Sequence, residues 1–326
     1  MFNWYSSAAT CIVYLDDVDA ETDQRHLLET QLRGSRWFQR GWTLQELLAP
    51  ESLVFVNRQW KPFGGIMARS YIGGQDAWLL RTVASIANVD HDVILFTKQN
   101  LPNVSAAERL AWMHGRKTTR EEDMAYCLFG VFDINMPLLY GEGAKAFRRM
   151  QVEVLSQLGD ESILVWACTP EYETIHRGGL LATSIENFAN GNVERCITHS
   201  RTPFTISSYL AELQVGSSDQ GIFRHKDEDI LAVRLNCVRA RPRCSASPCV
   251  IFLQQQHCGH FRREFRRKHH SLLCIRFEDE ITGLADWIEV SEPTTMLIHL
   301  HASNDCFYNK PLGPKHPVNY HLGVNA

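Results

Sequence analysis

The sequence predicts an α/β core with a helical lobe, followed by a β-rich region, and three patterns carry that prediction. The apolar run Cys11 to Leu15 is followed, across a polar stretch and a short helical pattern, by a second apolar run at Ser52 to Val56. Strand, helix and strand with short joints are the pattern of a parallel α/β unit. Residues 76 to 158 then repeat apolar positions at helical spacing, and beyond residue 167 short apolar runs alternate with polar turns.

Taken in order, Asn3 to Ala9 reads as the end of an amphipathic helix that feeds at once into the Cys11 strand. That opening creates the expectation of further sequence upstream. Asp16-Asp17 closes the strand, and a polar segment runs to Arg33. A short helix is expected from Trp42 to Leu48, stopped by Pro50. Leu79, Leu80, Val83, Ile86 and Ala87 place a helix over 76 to 89. Ser105 with Glu108, and Thr119 with Glu122, have the form of capping boxes, predicting helices over 106 to 114 and 120 to 129 with Gly130 as C-cap. The turn-rich stretch Met136 to Gly143 leads into a helix over 144 to 158, whose face of Phe147, Met150, Val154, Leu155 and Leu158 should pack on the preceding helix.

In the last region the apolar runs Phe204 to Tyr209, Ile230 to Cys237, Val250 to Leu253, Leu272 to Phe277 and Thr295 to Leu300 predict an antiparallel β-rich unit. The change of character divides the chain into residues 1–167 and 168–326.

Composition narrows the function classes. A 44% apolar fraction over 326 residues supports a sizeable core and argues against disorder over most of the length. With 37 acidic and 33 basic residues, the net charge of −4 argues against a dedicated nucleic-acid binder. The N-terminus lacks the basic and apolar segments of a secretory signal, and no uncharged apolar stretch approaches the roughly 18 residues of a membrane helix. A soluble, cytoplasmic protein is therefore expected. Ten scattered cysteines read as reduced, buried thiols.

Three groups of residues are candidates for chemistry. In Ser35 to Pro50, Trp42 and Glu46 lie four apart on one helical face, which sets an acid beside an aromatic wall. Such a carboxylate can hold ribose hydroxyls or stabilise positive charge on a sugar during N-glycosidic cleavage. The alternative is that Glu46 pairs with Arg36 or Arg40 and finishes the helix surface. Secondly, Glu121, Glu122 and Asp123 suit a helix N-terminus, and Arg116, Arg120 and Asp123 offer a polar network between lobe and core. The turn Tyr140-Gly141-Glu142-Gly143 lacks the lysine of a phosphate loop and reads as architecture. Thirdly, Cys237, Cys244, Cys249, Cys258, His257 and His260 match no standard zinc spacing, so no metal is expected. The basic run containing Arg239, Arg241, Arg243, Arg262, Arg263, Arg266, Arg267 and Lys268 reads equally as a solvated β-hairpin rim or as a patch for nucleic acid, anionic lipid or an acidic partner.

The stretches Phe2 to Val18, Ser35 to Pro50, Gly115 to Leu128 and Phe132 to Gly143, with Trp166-Ala167, resemble the heterokaryon-incompatibility (HET) family of filamentous fungi. That resemblance covers residues 1 to 167. It implies a fold similar to Toll/interleukin-1 receptor (TIR) domains, a flavodoxin-like parallel sheet, and a role in non-self recognition that ends in cell death. Some TIR domains hydrolyse NAD with a glutamate in a Trp-Cys-x-x-Glu-Leu helix. The matching positions here are Trp42, Thr43 and Glu46-Leu47, making Glu46 the implied catalytic residue, with Trp42, Trp37 and Arg36 toward the substrate. NAD would be substrate, with no cofactor. Asp123, Tyr140, Gly141 and Gly143 are the implied structural motif. Family members normally carry two earlier strands, resembling Tyr-Ala-Ile-Leu-Ser-His-Thr-Trp and Val-Trp-Val-Asp-Thr-Cys-Cys-Ile-Asp, so this chain reads as an incomplete core with an exposed first strand. The resemblance also implies a protein partner or self-association.

Overall fold

The structure is a computed structural model that describes residues 1–19, 24–67, 74–166 and 180–188, followed by strand segments between 193 and 299. A short helix α1 (Phe2–Ser7) precedes β1 (Cys11–Tyr14). Then come α2 (Arg25–Gly34), a 3-10 turn at Arg36–Gln39, and α3 (Thr43–Leu48). β2 (Ser52–Val56) and β3 (Pro62–Met67) complete a three-stranded sheet in the order β1-β2-β3. β1 and β2 are parallel, with Cys11 opposite Leu53, as strand-helix-strand connectivity demands; β3 returns antiparallel to β2. The architecture is α/β, and β1 forms one margin of the sheet with Ile12 60% exposed.

Val13, Leu15, Leu53 and Phe55 join the leucines of α2 and α3 in the core. The segment expected to be merely polar is thus helical at α2. Its signal was only Leu28 and Leu32, four apart on one face and both fully buried, in an otherwise charged stretch. Burying two leucines contributes about 1.5–3 kcal/mol each, enough to outweigh a polar composition.

The helical lobe comprises α4 (Gly74–Ala87), α5 (His91–Leu95), α6 (Thr97–Asn100), α7 (Ala106–Ala111), α8 (Asp123–Tyr126), α9 (Phe129–Phe132) and α10 (Lys145–Leu158). The free amides at the start of α7 are satisfied three ways: Ser105 accepts from Glu108 N–H, Asp160 from Ala106 N–H, and Ser162 from Ala107 N–H. The helix expected over 120 to 129 is instead two single turns, α8 and α9. Thr119 does not cap it, because Glu122 occupies the N-cap and turns its carboxylate toward the 141–143 turn. Gly130 is not a C-cap but lies inside α9, whose C-cap is Asp133 at φ 53°.

The β region is a ten-stranded sheet built from β4 (Val193–Arg195), β5 (Thr205–Ile206), β6 (Leu210–Val215), β7 (Ile222–His225), β8 (Ile230–Arg241), β9 (Cys244–Gln256), β10 (Glu264–Arg267), β11 (Leu273–Cys274), β12 (Trp287–Glu289) and β13 (Thr294–His299). Its pairs are antiparallel except β10 with β13. Each of the five predicted apolar runs contains strand. β10 lies in the basic run, for which a β-hairpin rim is one of the two readings. The lobe and this sheet share one core, which runs from Val13 to Leu253. Buried Glu161 accepts from both the backbone and side-chain N–H groups of Asn236 at 2.7 and 3.2 Å. Gln151 of α10 exchanges two hydrogen bonds with Ala182, each 2.9 Å.

Candidate functional site

Glu46 is placed by a relay that begins at the end of β1. Asp17 accepts from the Ser35 hydroxyl and from Arg36 N–H, both at 2.8 Å, which pins the 3-10 turn to the strand. Burial opposes ionisation of Asp17, but those hydrogen bonds hold its carboxyl below the usual range. The pinned turn carries buried Trp37, whose ring sits edge-on to Phe38 and Phe55 and whose indole N–H donates to Glu46 Oε2 at 3.2 Å. Leu44, Leu47 and Leu48 fix α3 in the core and leave Glu46 half-buried.

The second Glu46 oxygen accepts from the Tyr5 hydroxyl of α1 at 3.1 Å. Burial first, and then the neighbouring Glu46 carboxylate, push the Tyr5 phenol up to about 12. The same two causes push the Cys11 thiol up to about 11. Tyr5, Cys11, Trp37 and Glu46 therefore form one cluster. Sequence reasoning missed Tyr5 and Cys11, since 41 residues separate Tyr5 from its partner and no spacing signals the contact.

The other residues proposed to face substrate are placed differently. Arg36 is exposed and ion-paired with Asp16 at 2.6 Å and Asp17 at 3.5 Å. Trp42 is the half-buried N-cap of α3 and packs against the core. Among the described residues no ion pair joins Glu46 to Arg36 or Arg40.

Arg116 links the lobe to the start of α3. Its guanidinium donates to the Trp112 and Arg40 carbonyls at 3.0 Å and to the Thr43 hydroxyl at 3.1 Å. Burial pulls it down to about 10, which still leaves it charged at neutral pH. Gly41 allows the close approach here, because an added Cβ would lie 2.6 Å from Thr118 Cγ2.

The motif residues of the lobe come together. Tyr140 donates to Asp123 at 3.0 Å with Arg120 stacked over its ring, and Gly141 and Gly143 N–H groups donate to Glu122 at 2.7 and 3.0 Å. Tyr126 and Arg149 complete the network by donating to Glu142 at 2.9 and 2.7 Å. Arg120 and Asp123 thus serve the turn, whereas Arg116 alone of that trio bridges to the α/β core.

Of the cysteine and histidine group, Cys237 and Cys249 are buried, while His257, Cys258 and His260 lie outside the described residues. The side chains of the basic run also lie outside them. A cleft of about 460 Å³ lined by Arg81, Ser85, Asn88, Asp90, His91 and Glu108 includes none of the candidate residues. No helix among the described residues is long and apolar enough to cross a membrane.

Fold and site define an α/β protein with a helical lobe and a β region, carrying a half-buried carboxylate between two aromatic donors. Over 160 residues the chain is 40% identical to the vegetative incompatibility protein HET-E-1 of Podospora anserina, a match covering 47% of this chain and 11% of that protein. Part of the chain is therefore homologous to a fungal protein of the HET family. No protein-family model matches the chain, and no solved structure matches it.

Proposed function

We propose that this chain is a vegetative incompatibility protein, acting in the cytoplasm in fungal non-self recognition and cell-death signalling. The 40% identity to a protein of that description supports the reading, and it is the observation that carries it. Residues 1–167 form the TIR-like signalling unit and residues 168–326 its β-rich extension, engaging a protein partner or a second copy. Both oxygens of Glu46 are occupied by donors of the same chain, which favours a contact-making module in the resting state. The test is inducible expression in a filamentous fungus with growth arrest and vital-dye uptake scored. Death on induction is the expected outcome. A folded, abundant protein that leaves the host growing normally would remove the reading.

A second reading is NAD glycohydrolysis, favoured by a half-buried carboxylate set against the Trp37 indole. In that reaction the bond between ribose C1 and the nicotinamide nitrogen breaks, nicotinamide leaves with the bonding electrons, and water adds to C1 with loss of a proton. Glu46 would stabilise the positive charge that develops on the ribose. Trp37 orients the carboxylate. Purified protein should then consume NAD and its Glu46→Gln variant should not; equal silence from both at high protein concentration removes the enzyme reading and leaves the module.

A further inference from the structure

We infer that α1 is a displaceable latch over Glu46, holding one carboxylate oxygen until the helix is moved aside. The inference rests on Glu46 being the functional carboxylate of this chain. The two oxygens of Glu46 are held by parts of very different stability. Oε2 accepts from Trp37, which is buried among Phe38 and Phe55. Oε1 accepts from Tyr5 on a six-residue helix in which no residue is buried. With no residue buried, α1 stays in place through what it touches.

Two attachments are visible. Besides the Tyr5 hydroxyl, Phe2 lies against Gly130 of α9 so closely that a Cβ added there would fall 2.1 Å from Phe2 Cβ. Trp4, by contrast, is 76% exposed and adds little. A segment with no buried residue, attached to α3 and α9 through the Tyr5 hydroxyl and the Phe2 ring, belongs to the low-stability end of a structure, the part that opens first. When it opens, Trp37 still orients Glu46, but Oε1 becomes a free acceptor beside Cys11 and an aromatic wall. Such a site suits a ligand with adjacent hydroxyl donors, such as a ribose diol. The Tyr5 phenol stays protonated at neutral pH, so the latch responds to competing donors or to a pull on α1 and not to physiological pH.

The test uses the full chain and three variants that release α1 from different ends: Gly130→Ala, which crowds Phe2 from α9 without touching Glu46, Tyr5→Ala and Tyr5→Phe. The first readout is the rate of iodoacetamide alkylation at Cys11, resolved by peptide mass spectrometry with buried Cys127 as internal control. Loss of one hydrogen bond shifts an opening equilibrium about fivefold. Cys11 labelling should rise by about that factor in Tyr5→Phe, which loses only the hydrogen bond, by more in Tyr5→Ala, and measurably in Gly130→Ala, with Cys127 unchanged. An unchanged Cys11 rate in all three overturns the latch. The second readout is NAD consumption by the same samples. Turnover that rises with Cys11 exposure and is abolished by adding Glu46→Gln supports latch and chemistry together. Faster labelling without turnover supports the latch and removes only the NAD reading.

Discussion

At the scale of single residues, the charge of Glu46 is what its neighbours report. A carboxylate beside a thiol opposes a second negative charge, so Glu46→Gln should lower the Cys11 pKa from about 11 and increase the alkylation rate at a given pH near 9. A rate-against-pH profile of Cys11 in both proteins checks this; superimposable profiles would show that burial alone sets the thiol. Asp17 provides a second reading of local electrostatics. Its folded-state value is depressed, so its contribution is fully present above the ordinary aspartate value of about 3.9 and is lost as pH falls through the lower native value. Denaturant titrations should therefore show wild type losing stability more steeply than Asp17→Asn as pH falls below about 4. Parallel slopes would mean the Ser35 and Arg36 contacts contribute nothing in solution.

Secondary-structure elements are placed by contacts that a linear pattern shows unevenly. α7 was legible because its cap is local: Ser105 and Glu108 are three residues apart and bond as expected. Its two further caps come from Asp160 and Ser162, more than fifty residues away, and spacing cannot show them. Asp160→Ala should lower stability by about 1–2 kcal/mol in chemical denaturation, the usual cost of a lost N-cap. The capping box at Thr119 failed for the complementary reason. The Glu122 carboxylate has stronger partners in the Gly141 and Gly143 amides than in the start of its own helix. Gly41→Ala tests the joint between the 3-10 turn and the lobe. The added methyl meets Thr118, Met113 and Cys127 at 2.6 to 3.3 Å, so overpacking of about 1–3 kcal/mol is expected as a lowered melting temperature.

Across the whole molecule, helices and β region are joined by a continuous core and by buried polar contacts that bridge them. Buried Glu161 lies 75 residues from Asn236 and accepts from its backbone and side-chain N–H groups. Glu161→Ala leaves those donors unpaired and should cost about 1–3 kcal/mol. If the shared core couples the two regions, near-UV circular dichroism and tryptophan fluorescence should report one coincident transition in wild type. Two separated transitions in wild type would show that the regions unfold independently.

By itself the sequence determined the strand-helix-strand start, the helical lobe, the β-rich end and the position of Glu46 on a short helix. Each of these rests on periodicity or on neighbours within one or two turns, which a chain carries in its own order. Only the tertiary structure decided that α2 is a helix, that the acidic residues of the lobe hold a glycine turn, that Arg36 turns to Asp16 and Asp17, and that Tyr5 and Trp37 close on Glu46. Those outcomes depend on which distant groups compete for the same donor or the same buried face. Hydrogen-bond strength and burial settle that competition once the chain has folded back on itself, and no spacing along the chain encodes the winner.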